Sequence, residues 1–442
     1  MRYGLYDKPP IGVTLMAALQ WLIVTLSSSF VVPLMIGQIY GLDASESSRF
    51  MQQTIFYVGL ASFLQVWIGH RYPLMEGPAG LWWGIFIILA QIGTSLGVAP
   101  SQIGQSFELG LVIAGGMFLL LGLKGWIWRI QEWFTPSITG IYMTLLSISL
   151  CSNFIKGMLG IGYQGATSVQ PGIAILSVVI MGLVIWFLRV KTIASFAVLL
   201  GVVIGWIASA VLGWTEPIPA TNDVVVWPTL FFWGPPRWDT GIVLTSVLTG
   251  FVLLTNLITS LAVVGQSAGI AATKEAFNRG GIFTGVSHMM SGLSGVVGMI
   301  PLSLAAAVIQ TTKIASRLPF MLAMVLTMLI GIFPMISNFL TSIPTPVAYA
   351  AMFVSYTQLL GFGLKDFARS ELDERGIIVI GSSLLIGVGV MFVPTEAWKS
   401  LHPLLSFLLG NGLLLGVLVA LLMEHVILPK RAKQTKKTDG SF

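Results

Sequence analysis

The first thing this sequence lacks is charge. Only 9% of its 442 residues are charged and 55% are apolar, whereas a soluble globular domain carries about 25% charge. That shortage excludes an ordinary soluble enzyme. It also excludes disorder, because disordered segments are poor in aromatic and branched residues and rich in charge. A single cysteine, Cys151, leaves no intrachain disulfide. No His/Cys/carboxylate spacing suggests a metal site and no Gly-rich loop ends in Lys-Ser/Thr, so no metal, nucleotide or other cofactor is expected. The opening MRYGLYDKPP is too short and too polar for a signal peptide, and no small-residue cleavage site follows it. The first apolar segment is therefore expected to remain as a span.

Apolar stretches of about 20 residues recur along the whole length, each long enough to cross a bilayer core. A barrel would instead alternate polar and apolar residues over about 10 positions. The expected fold is an all-α polytopic membrane protein. Gly, Pro and charge divide it into fourteen segments starting near Ile11, Gln53, Leu81, Phe107, Ile138, Ile173, Ala194, Ile242, Ile282, Leu302, Phe320, Val347, Ile377 and Leu404. With both termini cytoplasmic, all 23 Lys and Arg fall inside except Arg49, Lys156, Arg237 and Lys399. That bias is the one cytoplasmic loops show. The net charge of +6 is then a topology signal and gives no reason to expect nucleic acid as a partner. The basic tail from Lys430 to Lys437 can bind anionic lipid and is most simply a topology anchor.

The longest connection, from about Trp214 to Asp239, holds Glu216, Asp223, Pro217, Pro219, Pro228, Pro235 and Pro236 and divides the chain seven plus seven. An odd number of spans per half makes the second half enter from the opposite side, which is an inverted repeat. Each half has a Gly/Pro-broken short segment at its third position, Pro73 to Gly80 and Gly298 to Ser303. Such paired breaks point to a solute site at mid-membrane, since broken backbone is tolerated there only beside a cavity or inside protein.

Glu76 is the sharpest single residue. A carboxylate inside a span costs at least ~2.5 kcal/mol and usually faces a cavity or a partner. The bland alternative is an interfacial pair with Arg71. Glu108 opens the fourth segment and reads as a headgroup residue. His288, among Ser287, Met289, Met290 and Ser291, reads as a neutral histidine bonded to a neighbouring carbonyl. Asn256 and Thr259-Ser260 lie in mid-span, where uncharged polar groups glue helices or contact solute, and Gln20 is a similar case. Gly292-Leu293-Ser294-Gly295 imitates an intramembrane serine protease, but a nucleophile needs a base within reach, and His288 lies more than one helical turn away on another face. With no nucleotide site, transport would be driven by an ion gradient or by the solute's own gradient.

At these residues the chain resembles the nucleobase/ascorbate transporter family, and specifically its bacterial purine and uracil permeases. The resemblance runs from Pro9-Pro10 to the last span. Leu19-Gln20-Trp21 with Val31-Val32-Pro33 is similar to the family's first-span Gln-His and Val-Pro. Gly77-Pro78-Ala79-Gly80 stands at its Gly-Ser-Ser-Phe-type substrate strand, and Gly292 to Arg317 aligns with its signature region. The signature itself departs from the family pattern: its base-contacting start is replaced by Leu304-Ala305-Ala306-Ala307, while the closing pair survives as Thr312-Lys313. In the eighth span the family's acidic residue falls on Asn256 and a polar residue on Ser260.

The resemblance implies short strands in segments three and ten. It also implies a core domain in two halves, 11–132 and 240–342, and a gate domain in two halves, 133–215 and 343–426, followed by the tail 427–442. It implies an elevator-like purine permease of the cytoplasmic membrane, working as a proton symporter and forming a homodimer. A nucleobase site must offer in-plane hydrogen bonds between apolar walls, and Asn256 supplies one donor and one acceptor type. The expected substrate residues are Glu76, Gly77, Gly80, Asn256, Ser260, Ser303, Leu304 and Ala305, with Glu76 as the proton carrier, because a carboxylate held away from water is costly to keep charged. Two rivals stand beside this reading. One is a carrier of sulfate or another small anion, which would need a cation at the site; the other is an uncoupled uniporter or a sensor.

Overall fold

The computed structural model describes residues 1–429 except 79, 96, 128, 130–132, 134, 191–192, 216–217, 219–222, 399–400, 402–404 and 406–408. The basic tail from Lys430, the start of the fourteenth segment near Leu404, and Ala79, Lys191, Glu216, Pro217, Pro219 and Lys399 lie outside the described residues.

Helices α1 (Ile11–Ser29) and α2 (Val31–Tyr40) follow one another across Phe30 as a single apolar segment of 30 residues. Helix α3 (Ala44–Trp67) opens on a capping box, Asp43 accepting from the Glu46 N–H while the Glu46 carboxylate accepts from the Asp43 N–H. The chain then turns through Arg71, at φ 67°, into strand β1 (Glu76–Pro78) and helix α4 (Gly80–Ser95). Helices α5 (Pro100–Leu123), α6 (Pro136–Met158) and α7 (Pro171–Arg189) each begin on a proline, and α8 (Ala197–Val211) closes the first half. Proline suits a first helical turn because its missing N–H would find no intrahelical acceptor there.

The second half runs through α9 (Thr240–Ala268), α10 (Lys274–Ser294), strand β2 (Met299–Pro301) and α11 (Leu304–Thr312). It continues as α12 (Arg317–Ile330), α13 (Pro334–Thr341), α14 (Thr345–Arg369), α15 (Glu374–Met391) and α16 (Gly412–Leu422).

Among the described residues, six helical segments are long and apolar enough to cross a membrane, and the pair α12–α13, bent by 79°, can form a seventh. Helices α3 and α10 have the length without the apolar composition. Their polar residues are buried in the protein: Gln52, Gln53, Ser62 and Gln65 on α3, and Thr284, Ser287, His288 and Ser291 on α10. Polar groups at membrane depth belong on such inward faces.

The helices pack in two groups. In one, α5 lies along α10 and α9, α3 along α12, and α1 along α12. The α5–α10 seam is closed by glycines. A Cβ on Gly285 would stand 2.6 Å from the Gly115 carbonyl oxygen, and one on Gly115 would stand 2.6 Å from that of Gly285. Backbone approach of this kind gives membrane helices the contact that lipid tails cannot drive by hydrophobicity. In the other group α14 packs on α6, α7 and α8, and α15 on α16 and α6. There the Tyr356 hydroxyl donates to the Leu146 carbonyl at 2.7 Å and stacks on Phe154.

Strands β1 and β2 meet inside the first group as an antiparallel pair, Glu76 opposite Pro301, Gly77 opposite Ile300 and Pro78 opposite Met299. These are the two Gly/Pro-broken segments marked in the sequence. Leu302 N–H donates to Met75 O at 2.9 Å and extends the pairing by one bond. Each strand leads directly into a helix, β1 into α4 and β2 into α11.

Candidate functional site

A cavity of about 670 Å³ opens between the two helix groups. One wall comes from α9 and the turn after β2, with Thr255, Asn256, Thr259, Ser260 and Ser303. The facing wall comes from the start of α6 and the last turns of α14, with Thr135, Thr139, Phe362, Lys365, Asp366 and Arg369. Its volume lies within the about 300–1,000 Å³ common for small-molecule sites. Thr259 is exposed although it sits well inside the 29-residue α9, because it borders this cavity.

Four of the sequence-marked residues, Asn256, Thr259, Ser260 and Ser303, are therefore brought together. The Ser260 hydroxyl lies 3.1 Å from the Pro301 carbonyl and 3.2 Å from Asn256 Oδ1, and it can donate its one proton to either. The bond to Pro301 ties α9 to β2, and Asn256 lines the cavity beside it. Leu304 is partly exposed at the head of α11, while Ala305 is fully buried behind it.

Glu76 lies elsewhere. It is fully buried and does not line the cavity. Its Oε1 accepts from Gln65 Nε2 at 3.0 Å, its backbone N–H donates to Ser62 Oγ at 2.8 Å, and Oε2 has no hydrogen-bond partner. Gln65 Nε2 is also within 3.0 Å of the Gly280 carbonyl and 2.9 Å of Thr284 Oγ1, so its two hydrogens are shared among three acceptors. Among the described residues no cation lies within 4.0 Å of the Glu76 carboxylate, and Arg71 is exposed. Gly77 is buried against Leu302: a Cβ there would stand 2.7 Å from its side chain. Gly80 is the first residue of α4.

The other candidates separate. His288 is fully buried, with Nδ1 2.7 Å from the Thr284 carbonyl and Nε2 2.6 Å from Trp82 Nε1. Trp82 must donate, so Nε2 accepts and Nδ1 carries the proton, which makes His288 neutral. Phe118 stacks on its ring. Gln20 and Thr312 line a different, largely apolar groove with Met16, Ile23 and Phe196. Lys313 is exposed at φ 59°, its carbonyl accepting from the N–H groups of Arg2 and Tyr3.

Glu108 departs from the headgroup placement read from the sequence. It is buried, its Oε1 accepting from the Trp233 N–H at 3.2 Å. The connection between the halves folds back over this end of α5, with Trp233 Nε1 donating to the Gly295 carbonyl and Phe231 N–H to Leu293 O. The cavity wall on α14 was missed as a site altogether. Phe362, Lys365, Asp366 and Arg369 follow a helical face spacing, and that spacing was the one available signal.

Two packed helix groups, a buried strand pair broken out of two segments, and a water-open polar cavity at their boundary define a multi-pass membrane protein of the transporter class. The solved transmembrane domain of a cyanobacterial bicarbonate transporter, BicA, has the same fold, with a TM-score of 0.64, 14% identity and coverage of 95% of this chain and 98% of that one. A structure of the murine Solute Carrier 26 family member A9 anion transporter matches at TM-score 0.63 and 13% identity, over 94% of this chain and 68% of that one. Residues 12–396 match the model of the permease family Xan_ur_permease, and the chain belongs to that family. Its relatives include YwdJ of Bacillus subtilis (strain 168), which carries a provisional purine permease name, at 34% identity over 95% of this chain and 97% of that one. The uric acid permease PucK and a xanthine permease, both of the same strain, are 26% and 24% identical over 93% and 94% of this chain and 94% of each relative. Membership of a permease family points to a transporter rather than an enzyme.

Proposed function

We propose that this protein carries an oxopurine nucleobase across the cell membrane, taking it from the cavity between α9 and α14. The observation that carries the reading is the cavity itself: Asn256, Ser260 and Ser303 offer neutral in-plane hydrogen bonds on one wall, and Phe362 offers an aromatic face on the other. A flat ring with alternating donors and acceptors needs that combination. Support comes from the relatives named for purine, uric acid and xanthine transport. Leu304, Ala305, Gly77 and Gly80 then belong to the backbone that shapes the site.

In this reading the group holding the strand pair (11–132 and 240–342) is the core and the group around α6 and α14 (133–215 and 343–426) is the gate. The chain has fourteen spans as a 7+7 inverted repeat and both termini cytoplasmic. The cavity, with Lys365 and Arg369 in its lining, opens inward. The core slides past the gate like an elevator, and gate domains pair two copies.

Glu76, the first residue of strand β1, is the proton site in this reading. It is opposite Pro301, whose carbonyl is within reach of Ser260 on the cavity wall. Solute bound to Asn256 and Ser260 is thereby one strand away from a carboxyl that has no cation to hold it charged. Uptake of labelled xanthine into proteoliposomes with and without an inward proton gradient tests this. The wild type should accumulate xanthine only with the gradient, and Glu76→Gln should lose that dependence. Gradient-driven accumulation that survives in Glu76→Gln would overturn the proton role. Absence of any purine uptake by the wild type would overturn the substrate.

A further inference from the structure

The gate-side wall of the cavity carries more charge than neutral-base recognition needs. Phe362, Lys365, Asp366 and Arg369 lie on one face of the last two turns of α14, and all border the cavity. Asp366 is already engaged, accepting from the Thr139 hydroxyl at 2.8 Å and lying 3.6 Å from an Arg369 nitrogen. Lys365 has no carboxylate within 4.0 Å among the described residues, and its ammonium is held 5.8 Å from the centre of the Phe362 ring. Two cations against one carboxylate leave the wall formally one positive charge in excess. The facing wall of Thr255, Asn256, Thr259, Ser260 and Ser303 is uncharged.

A simpler account makes Lys365 and Arg369 cytoplasmic anchors that also complement the C-terminal end of the α14 dipole. Those roles are filled equally well by residues facing lipid headgroups. They do not require the cations to share a face with Phe362 or to line the same cavity as Asn256 and Ser303.

We propose that Lys365, with Arg369 one turn further along α14, recognises the anionic form of an acidic oxopurine, of which urate is the example, while Phe362 offers its ring face to the base. The proposal rests on the purine reading above and deepens it by naming the charge state. Ring stacking and the neutral α9 wall serve any oxopurine; the ammonium distinguishes a ring bearing a delocalised negative charge from one that does not.

The test compares labelled urate, an anion at neutral pH, with labelled hypoxanthine, which is neutral there, in proteoliposomes of the full chain. The ratio of their kcat/KM values is measured for the wild type, Lys365→Gln and Lys365→Arg. A unit charge near a ligand in a wet cavity is worth about five- to tenfold, so the urate-to-hypoxanthine ratio should fall by that factor in Lys365→Gln, mainly through the KM for urate. Lys365→Arg should restore most of it. Raising salt to about 1 M, where screening acts over about 3 Å, should bring the wild-type ratio towards that of Lys365→Gln. A ratio unchanged in Lys365→Gln, whether both rates hold or both fall together, overturns the proposal and leaves purine transport standing. A wild type that carries neither base overturns both.

Discussion

Replacing Asn256 by alanine separates a contact with solute from a role in holding the helices together. The side chain lines the cavity, and its Oδ1 is one of two acceptors within reach of Ser260 Oγ. After the change Ser260 still has the Pro301 carbonyl at 3.1 Å, so no buried hydroxyl is left without a partner. Water can fill the space the amide leaves, because the cavity is open. The change should therefore cost little stability, within about 0.5 kcal/mol. What is lost is a neutral hydrogen bond to the base, worth about 0.5–1.5 kcal/mol net, or about two- to tenfold in affinity. The assay is saturation uptake of labelled xanthine in proteoliposomes, with thermal stability of the purified protein measured in parallel. A KM raised by that factor at unchanged stability is expected. An unchanged KM, or a loss of folded protein with KM preserved, would refute the placement of solute against α9.

Two further outcomes follow from the packing. Gly285→Leu should force α5 and α10 apart, since even a Cβ would approach the Gly115 carbonyl to 2.6 Å; overpacking of this kind costs about 1–3 kcal/mol and should lower the thermal midpoint of the detergent-solubilised protein, whereas Gly116→Leu, at a glycine open to space, should not. His288→Ala leaves the buried Trp82 N–H without its acceptor, a loss of about 1–3 kcal/mol, and should reduce stability with little effect on the KM for xanthine. A large KM change there would place His288 at the solute.

The strand pair was legible because Gly and Pro break two apolar segments at matching places, and proline cannot continue an apolar helix without cost. The polar face of α9 was legible for the same local reason: Thr255-Asn256 and Thr259-Ser260 stand four residues apart in a run whose other residues are apolar. Long-range packing was not legible. Glu108 is buried by Trp233, which comes 125 residues later, and nothing near Glu108 in the chain announces it. Glu76 was conspicuous, but only the fold shows its partners Ser62 and Gln65 on α3, and the further bonds that Gln65 makes to α10. Lys365 and Arg369 were readable as topology markers and nothing more, because the residues that orient a span and those that line its mouth are the same types at the same helix ends.

The central claim, that the cavity between α9 and α14 is an oxopurine site, is tested most directly by competition. Uptake of labelled xanthine by the purified protein in proteoliposomes is measured against an excess of unlabelled urate, hypoxanthine, guanine, adenine, uracil, sulfate and bicarbonate. The account predicts that urate and hypoxanthine compete strongly and that sulfate and bicarbonate do not compete. Competition by sulfate or bicarbonate, with none from any base, would contradict it.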